Sequence, residues 1–217
     1  MNITWFVVDF NEGTELSDSL TEALEPAIRS GHLKLYRSEH LKFWHACIAK
    51  NTAHMLADNS YHVLCNVDGD NLLTLEFVEQ ALEMAARVKS GEIACAQFYG
   101  SGNPGTYGRI MIDRTLFQKL GGYDETFHPS GCQDTDLIYR SLSCKNVGST
   151  VRVDSNQMIG ASIDNKPRHG MAECIQEKVI NTDPSKYRNW KFGKMDQENR
   201  TRMYDLLQQG VVQRNEN

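Results

Sequence analysis

Long apolar runs are absent from this sequence, and their absence excludes a membrane-spanning helix. No stretch reaches the roughly eighteen consecutive apolar residues that cross a bilayer, and the amino terminus shows no charged leader before an apolar segment. A basic excess is absent too, because acidic residues outnumber basic ones by 28 to 23. The formal net charge of −5 argues against nucleic acid and anionic membranes as partners. We expect a cytoplasmic chain.

Residue spacings typical of zinc sites are also missing. The six cysteines include no Cys-x-x-Cys pair, and the histidines include no His-x-x-x-His pair. Several cysteines lie in apolar segments, where a free thiol behaves as a small hydrophobic side chain, so we expect the reduced state. With 217 residues, 40% apolar and 24% charged, the composition is typical of one folded domain.

The apolar pattern alternates between strand and helix periods. In chain order, the first 65 residues predict a strand, a helix, a strand, a helix and a strand, at 3–8, 17–30, 32–37, 45–57 and 61–65. This order favours a parallel, doubly wound sheet. Later segments predict helices at 74–89, 115–120, 135–143, 170–181 and 196–209 and strands at 93–99, 108–112 and 150–153. The whole predicts a single α/β domain with a mixed, mainly parallel sheet flanked by helices.

Two carboxylates follow the third predicted strand directly. Asp68 and Asp70 are separated by one glycine, and side chains at i and i+2 of an extended chain point the same way. Ligands of open α/β sheets bind at the carboxyl ends of strands, and two carboxylates suit Mg²⁺ or Mn²⁺. An ordinary solvated turn is the alternative, since Asp-Gly-Asp-Asn is also turn chemistry.

A second acidic group follows a glycine-rich segment. Gly121-Gly122-Tyr123-Asp124-Glu125 precedes Gln133-Asp134-Thr135-Asp136, which marks the start of a predicted helix. Asp134 or Thr135 can be interpreted as a helix N-cap, because carboxylates and hydroxyls satisfy free amides there. The combination with the Asp-Gly-Asp group indicates a transferase site instead.

Five motifs in order resemble a known family. They are Val7-Val8-Asp9, Ala49-Lys50-Asn51, Asn66-Val67-Asp68-Gly69-Asp70, Gly121-Gly122-Tyr123-Asp124-Glu125 and Gln133-Asp134-Thr135-Asp136-Leu137. Their succession, over residues 2–145, resembles the nucleotide-sugar glycosyltransferases of the GT-A fold, nearest the family-2 type. A module of this size also resembles the glycosyltransferase domains with which large chlorella viruses modify their capsids, which would place the chain in the host cytoplasm.

The resemblance implies a function and a role for each matching residue. It implies metal-dependent transfer of a hexose from a nucleoside diphosphate, a UDP-sugar, to a hydroxyl of a glycan or glycoprotein, with inversion. Asp134 would be the general base. Asp9 would contact the uracil or ribose, Lys50 would lie near the nucleotide, and Asp68 would contact the ribose or bridge the metal through water. Asp70 would bind Mn²⁺ or Mg²⁺ directly.

The sequence departs from the family pattern at three places. Gln133 stands where the family more often has glutamate, in the acceptor loop that also includes Gly121 and Gly122. The family's third metal ligand, a histidine, is missing from residues 158–164, so Asp164 or His169 is the candidate substitute. The chain begins almost on the strand that carries Asp9, without the family's usual preceding strand and helix.

These departures lead to expectations about domains and alternatives. We expect a catalytic domain at 1–207 and a polar tail or linker stub at 208–217. The domain is either a minimal version of the family or one cut from a longer chain, and the polar end favours the second. Within it, 1–100 would bind the nucleotide sugar, 101–170 would hold the acceptor and catalytic half, and 171–207 would form carboxyl-terminal helices. Two alternatives stay open: a nucleotidyltransferase, although a Gly-rich basic phosphate loop is absent near the first strand, and a non-catalytic nucleotide-sugar-binding relic.

Overall fold

A computed structural model describes most of the chain as a set of short strands flanked by helices. The described residues are 3–10, 13–68, 72–99, 108–144, 149–154, 159–160, 183–187 and 192–215. The strands are β1 (Trp5–Asp9), β2 (Leu33–Arg37), β3 (Val63–Cys65), β4 (Leu72–Leu73), β5 (Ile93–Tyr99), β6 (Ile110–Asp113), β7 (Ser149–Asp154) and β8 (Ile159–Gly160). The helices are α1 (Glu15–Ala23), α2 (Glu25–Arg29), α3 (Ala46–Met55), α4 (Leu75–Lys89), α5 (Arg114–Lys119), α6 (Gln133–Ser143), α7 (Pro184–Tyr187) and α8 (Phe192–Gln208).

The strands pair in both directions, which confirms the predicted mixed α/β class. β1 and β2 are parallel, with Trp5 opposite Leu33 and Asp9 opposite Arg37. A second sheet has the order β3-β6-β5-β7, in which β5 and β7 are parallel and β6 is antiparallel to both of its neighbours. β4 and β8 form a short antiparallel pair. β3 thus pairs with β6, a strand that follows much later in the chain. Element order alone does not determine which strands hydrogen-bond.

Strand β5 is the centre of the core. All residues from Ile93 to Phe98 are buried, as expected for a strand that is covered on both faces. The period-two alternation of β6 divides the core into two layers. Met111 packs with α4, whereas Ile110 and Ile112 pack with α5 and α6. The sheet thus separates one helical layer from another, and loops follow the ends of its strands.

The predicted helix 17–30 is wrong in one respect, because the structure breaks it in two. α1 ends at Ala23, α2 begins at Glu25, and Leu24 lies between them with φ −117° and ψ 16°. Pro26 explains the break, since proline has no amide hydrogen to donate to the preceding turn. The predicted helix 170–181 lies outside the described residues. Within the described ranges, no helix is both long and apolar enough to cross a bilayer.

A buried network of charges joins α6 to the segment after α8. Arg140 Nε lies 2.7 Å from Asp136 Oδ2, and both side chains are fully buried. Arg214, also buried, lies 3.2 Å from Asp136 and 3.1 Å from Asp124. Arg140 also donates hydrogen bonds to the carbonyls of Leu120 and Gly122. The network ties the Gly-Gly loop to residues of the segment for which the sequence predicts a polar tail.

Removal of Arg140 is expected to destabilise the fold strongly. Arg140→Met leaves the Asp136 carboxylate buried with one partner fewer, and loss of one member of a buried pair costs about 3–5 kcal/mol. Arg29→Met is the matched control, because Arg29 forms an exposed pair with Glu25. Urea unfolding followed by circular dichroism should show a large drop in midpoint for Arg140→Met and almost none for Arg29→Met. Equal midpoints for the two variants would contradict a stabilising network.

Candidate functional site

Lys50 and Asp134 form the closest charged pair of the candidate site. Lys50 lies on α3, and Asp134 lies in the first turn of α6, 84 positions later. Lys50 Nζ donates to Asp134 Oδ1 at 2.7 Å, with only 13% and 16% of the two side chains exposed. An ion pair so well shielded from water interacts more strongly than a surface pair. The structure therefore brings together two of the residues predicted from the sequence.

Asp68 completes this group at a point beside Gly108. A side-chain carbon built on Gly108 would lie 3.2 Å from Lys50 Nζ, 3.4 Å from Asp134 Oδ2 and 3.4 Å from Asp68 Oδ1. Asp68 follows β3 and Gly108 precedes β6, and Asn66 joins the two segments by donating to the Gly108 carbonyl at 3.0 Å. Three predicted site residues thus converge where Gly108 leaves space. Gly108 itself was predicted only as a strand residue.

The environment of Lys50 keeps its amine charged. Burial alone would lower the pKa of Lys50, but Asp134, Tyr123 and Asp68 outweigh it and raise the pKa above its usual value. The ammonium also lies 5.1 Å from the centre of the Tyr123 ring, a cation–π contact. Burial raises the pKa of Tyr123 as well, so its hydroxyl stays protonated. Two carboxylates therefore face one ammonium at this point, which leaves an excess of negative charge.

Asn51, the residue after Lys50, fastens α3 to the loop between α5 and α6. Its side chain donates to the Tyr123 carbonyl at 2.9 Å and to Glu125 Oε1 at 2.8 Å, and it accepts from the Tyr123 amide at 2.8 Å. Asn51 is 7% exposed. Because both backbone groups of Tyr123 bond to one side chain, the ring is fixed beside Lys50.

Gly121 and Gly122 are needed for close approach. Both have positive φ, +72° and +70°, a region that favours glycine. A side-chain carbon on Gly121 would lie 1.6 Å from the Arg214 carbonyl oxygen, and one on Gly122 would lie 2.5 Å from Asn51 Oδ1. The loop therefore passes between α3 and the segment after α8 with no room for side chains. A role of these two glycines in acceptor binding stays a prediction.

The start of α6 is set by a loop that α8 holds. Gly131 and Cys132 have φ of +93° and +63°, and they turn the chain into α6. Asn199 on α8 donates to the carbonyls of Ser130 and Gly131 at 3.1 and 2.8 Å. Gln133 then begins α6, and its buried amide oxygen has no hydrogen-bond partner among the described residues. Asp134 is thus held at a fixed helix start, where the helix dipole favours a carboxylate.

Asp9 lies at the end of β1 and is 3% exposed. Its carboxylate accepts a hydrogen bond of 2.6 Å from Ser17 Oγ on α1, and its carbonyl accepts from the Ser38 amide after β2. The two parallel strands therefore end at a shared polar position. A role of Asp9 in donor binding stays a prediction.

The predicted metal ligands are only partly described. Asp68 lies at the convergence point, whereas Asp70, Asp164 and His169 fall outside the described residues. Within the described part of the chain, no group of three histidine, cysteine, aspartate or glutamate side chains is arranged to hold a metal ion. Of the predicted ligands, Asp68 is therefore the one that the structure describes, at the point beside Gly108 where it lies close to Lys50 and Asp134.

Several residues that build the site had no role in the sequence prediction. Asn51 and Tyr123 lie within the predicted motifs, and Gly108 and Asn199 lie outside them. An asparagine at a core position of a predicted helix can indicate a structural role, because a buried amide needs hydrogen-bond partners. Asn199 gave no such signal, since α8 is polar along much of its length.

Comparisons with known proteins identify the fold. The sequence matches no protein-family model and no curated protein. Among solved structures, the mannosyltransferase PcManGT from Pyrobaculum calidifontis, in complex with GDP-Man and Mn²⁺, aligns with a TM-score of 0.56 at 14% identity, covering 82% of this chain and 52% of that one. Residues 1–349 of TarS from S. aureus align with a TM-score of 0.51 at 13% identity, covering 89% of this chain and 59% of that one.

This chain thus spans between half and three fifths of the length of these two structures. Identities of 13% and 14% establish a shared fold and not a shared activity. The fold is that of GT-A glycosyltransferases, as the sequence predicted, with the mixed sheet and flanking helices in one domain.

Loss of the Asn51 side chain should loosen the site and the fold together. Asn51→Ala removes three hydrogen bonds and leaves the Tyr123 amide and carbonyl buried without that partner, which should cost about 2–4 kcal/mol. Thr52→Ala is the neighbouring control, because Thr52 Oγ1 bonds chiefly within its own helix, to Ile48. Chemical denaturation of both variants measures the difference. A loss of stability in Thr52→Ala as large as that in Asn51→Ala would contradict a stabilising role for the Asn51 hydrogen bonds.

Proposed function

We propose that this protein is a metal-dependent glycosyltransferase. It moves a hexose from a nucleoside diphosphate, in the first place UDP, to a hydroxyl of a glycan or glycoprotein, with inversion at the anomeric carbon. The observation that carries the proposal is the convergence of Lys50, Asp68 and Asp134 beside Gly108, in a chain with the GT-A fold. Function depends on such a site and not on the fold alone.

Asp134 is the proposed general base. The acceptor hydroxyl gives its proton to Asp134, its oxygen forms a bond to the anomeric carbon, and the bond from that carbon to the diphosphate breaks. A carboxylate suits this role because the transition state is oxocarbenium-like and the proton leaves as the new bond forms. The ion pair with Lys50 holds the Asp134 carboxylate at the start of α6, where 16% of its side chain is exposed.

The donor is proposed to contact the remaining predicted residues, which lie at the end of β1, on α3 and after β3. Asp9 would bind the nucleoside, Lys50 would lie near the nucleotide, and Asp68 would contact the ribose or a metal-bound water. Asp68 and Asp70 would hold Mn²⁺ or Mg²⁺, with His169 as the candidate further ligand, and the metal would neutralise the leaving diphosphate. Of these ligands, Asp68 lies at the convergence point beside Gly108, where its carboxylate can contribute to a metal site. The mannosyltransferase neighbour that contains both GDP-Man and Mn²⁺ supports the proposal of a divalent metal. It also makes GDP-sugars candidate donors beside UDP-sugars.

The acceptor is proposed to approach from the loop of Gly121 and Gly122 and from the start of α6. Gln133 belongs to this proposal because it precedes Asp134 directly in the first turn of α6. The viral capsid as acceptor, the cytoplasmic location and the domain boundaries stay sequence-based predictions.

Donor binding should depend on Mn²⁺ and on Asp70. We expect UDP- or GDP-hexoses to bind the wild-type protein with higher affinity when Mn²⁺ is present, because the metal bridges carboxylate and diphosphate. In Asp70→Ala, Mn²⁺ should no longer improve affinity, whereas Asp205→Ala, an exposed position on α8, should behave as wild type. Isothermal calorimetry with and without Mn²⁺ measures this. If the donor affinity of Asp70→Ala depended on Mn²⁺ as strongly as that of the wild type, Asp70 would not be a metal ligand.

Asp134→Asn should separate binding from chemistry. Asparagine keeps the shape of the side chain but cannot accept the acceptor proton, so turnover should fall by about 10²-fold or more while the donor still binds. The measurement is release of nucleoside diphosphate from a donor that the wild type binds, next to calorimetry of the same variant. A turnover rate close to wild type would mean that another group is the base.

A further inference from the structure

The segment after α8 turns back onto the loop between α5 and α6. Gly210 follows α8 with φ +74°, a conformation that favours glycine. Its amide donates to the Leu207 carbonyl at 3.0 Å, and the amide of Val211 donates to the Leu206 carbonyl at 2.9 Å. This pair of bonds is a common way for a helix to end and for the chain to reverse. We call the residues that follow the turn, 211–215, the strap.

Asn215, in the strap, holds the loop between α5 and α6 by three hydrogen bonds. Its side-chain amide donates to the carbonyls of Gly121 and Tyr123 at 2.6 and 2.7 Å, and its Oδ1 accepts from the Glu125 amide at 3.1 Å. Asn215 has φ +50°, which asparagine adopts more readily than most residues. The side chain thus bonds the loop at three points within five positions.

The Tyr123 carbonyl is held from two sides. It accepts from Asn215 at 2.7 Å and from Asn51 on α3 at 2.9 Å, so both of its lone pairs are used. The ring of the same residue lies 5.1 Å from the Lys50 ammonium. The strap therefore helps to fix the aromatic face against which Lys50 packs.

Arg214, the residue before Asn215, holds the first turn of α6. Its guanidinium lies 3.2 Å from Asp136 and 3.1 Å from Asp124, and 3% of its side chain is exposed. Asp136 lies two positions after Asp134 in that turn. Consecutive strap residues thus contact the two structural elements on which the ion pair of Lys50 with Asp134 depends.

We propose that the strap sets the geometry of the ion pair of Lys50 with Asp134. Asn215 and Arg214 are positioning residues, because one fixes the ring beside the ammonium and the other fixes the helix turn that carries the carboxylate. The inference rests on the proposed function and deepens it, since it gives a segment predicted as a polar tail control over the proposed base. A displacement of about 1 Å at such a site can cost about 10²-fold in rate.

Point variants of the full chain separate positioning from general stabilisation. Asn215→Gly keeps the positive φ and removes the three side-chain bonds. Asn215→Asp keeps the shape of the side chain but cannot donate to the two carbonyls. Arg214→Lys keeps a positive charge between the buried carboxylates, but it loses the fixed fork of the guanidinium. Gln213→Ala is the matched control, because Gln213 is an exposed residue of the same strap.

Hydrogen exchange of the protein without ligand is the first measurement. The Tyr123 amide donates to Asn51 Oδ1 at 2.8 Å, so its exchange reports local opening of the loop away from α3. In both Asn215 variants we expect this amide to exchange about 3–10-fold faster, while the amides of β5 exchange as in wild type. Gln213→Ala should match wild type at both places.

Turnover per folded molecule is the second measurement, with the folded fraction taken from circular dichroism. The probes are UDP-glucose and GDP-mannose with Mn²⁺, and the signal is release of nucleoside diphosphate. We expect kcat to fall by about 10-fold or more in Asn215→Gly, Asn215→Asp and Arg214→Lys, and to stay within about 2-fold of wild type in Gln213→Ala. KM for the donor should change by less than about 3-fold, because most of the proposed donor contacts lie away from the strap.

A strap that only stabilises the fold gives different results. Equal acceleration of exchange at Tyr123 and in β5, or no acceleration at Tyr123, overturns the proposal. A kcat per folded molecule close to wild type in all the Asn215 and Arg214 variants overturns it as well. If the wild-type protein releases nucleoside diphosphate from neither donor, the proposed function fails, and hydrogen exchange alone decides whether the strap positions the loop.

Discussion

The hydrogen bonds between Asn51 and Tyr123 are the constraint on which the candidate site depends. They fix the loop between α5 and α6 against α3, and Lys50 precedes Asn51 on the same helix. The ring that Asn51 positions is the one that Lys50 faces at 5.1 Å. The start of α3 also bonds to this loop, through Ala46 to the Pro129 carbonyl and His45 to the Phe127 carbonyl. Asn51 adds the link that lies next to Lys50, so its loss would loosen the ion pair of Lys50 with Asp134.

The surrounding framework holds the same loop from other sides. Arg140 bonds the carbonyls of Leu120 and Gly122, and Asn215 bonds those of Gly121 and Tyr123. α8 fixes the next loop through Asn199 and so sets the start of α6. Chain segments that are distant in sequence therefore support one short glycine-rich stretch. Such support suits a site whose charged groups must keep their separation, because small displacements cost a large part of an electrostatic interaction.

The sequence predicted the fold class, and the positions of Asp68 after a strand and Asp134 at a helix start, because their signals are local. β5 is a continuous buried run, and its predicted bounds, 93–99, agree with the structure. Asp68 follows a strand and Asp134 opens a helix, and both are visible as pattern breaks. Strand pairing was harder to predict, since the antiparallel contact of β3 with β6 joins residues 46 to 50 positions apart.

The supporting residues show where sequence reasoning ends. Gly108 matters because of the space it leaves between Lys50, Asp68 and Asp134, and nothing in its neighbours along the chain indicates that space. Arg214 lies in a polar segment for which the sequence predicts a tail, yet it is buried, because its partners Asp124 and Asp136 come from distant loops and helices. Long-range charge pairing leaves no periodic trace in the sequence.

Anomeric analysis of donor hydrolysis decides whether the site is that of an inverting transferase. Proton NMR of the protein with Mn²⁺ and α-linked UDP- or GDP-hexoses, recorded before the free sugar mutarotates, shows which anomer forms when water replaces the acceptor. We expect release of nucleoside diphosphate together with the β-hexose, since the proposed base Asp134 would deliver the attacking oxygen from the face opposite the leaving group. Release of the α-hexose, or no release from any donor that binds, would contradict an inverting transferase site at Asp134.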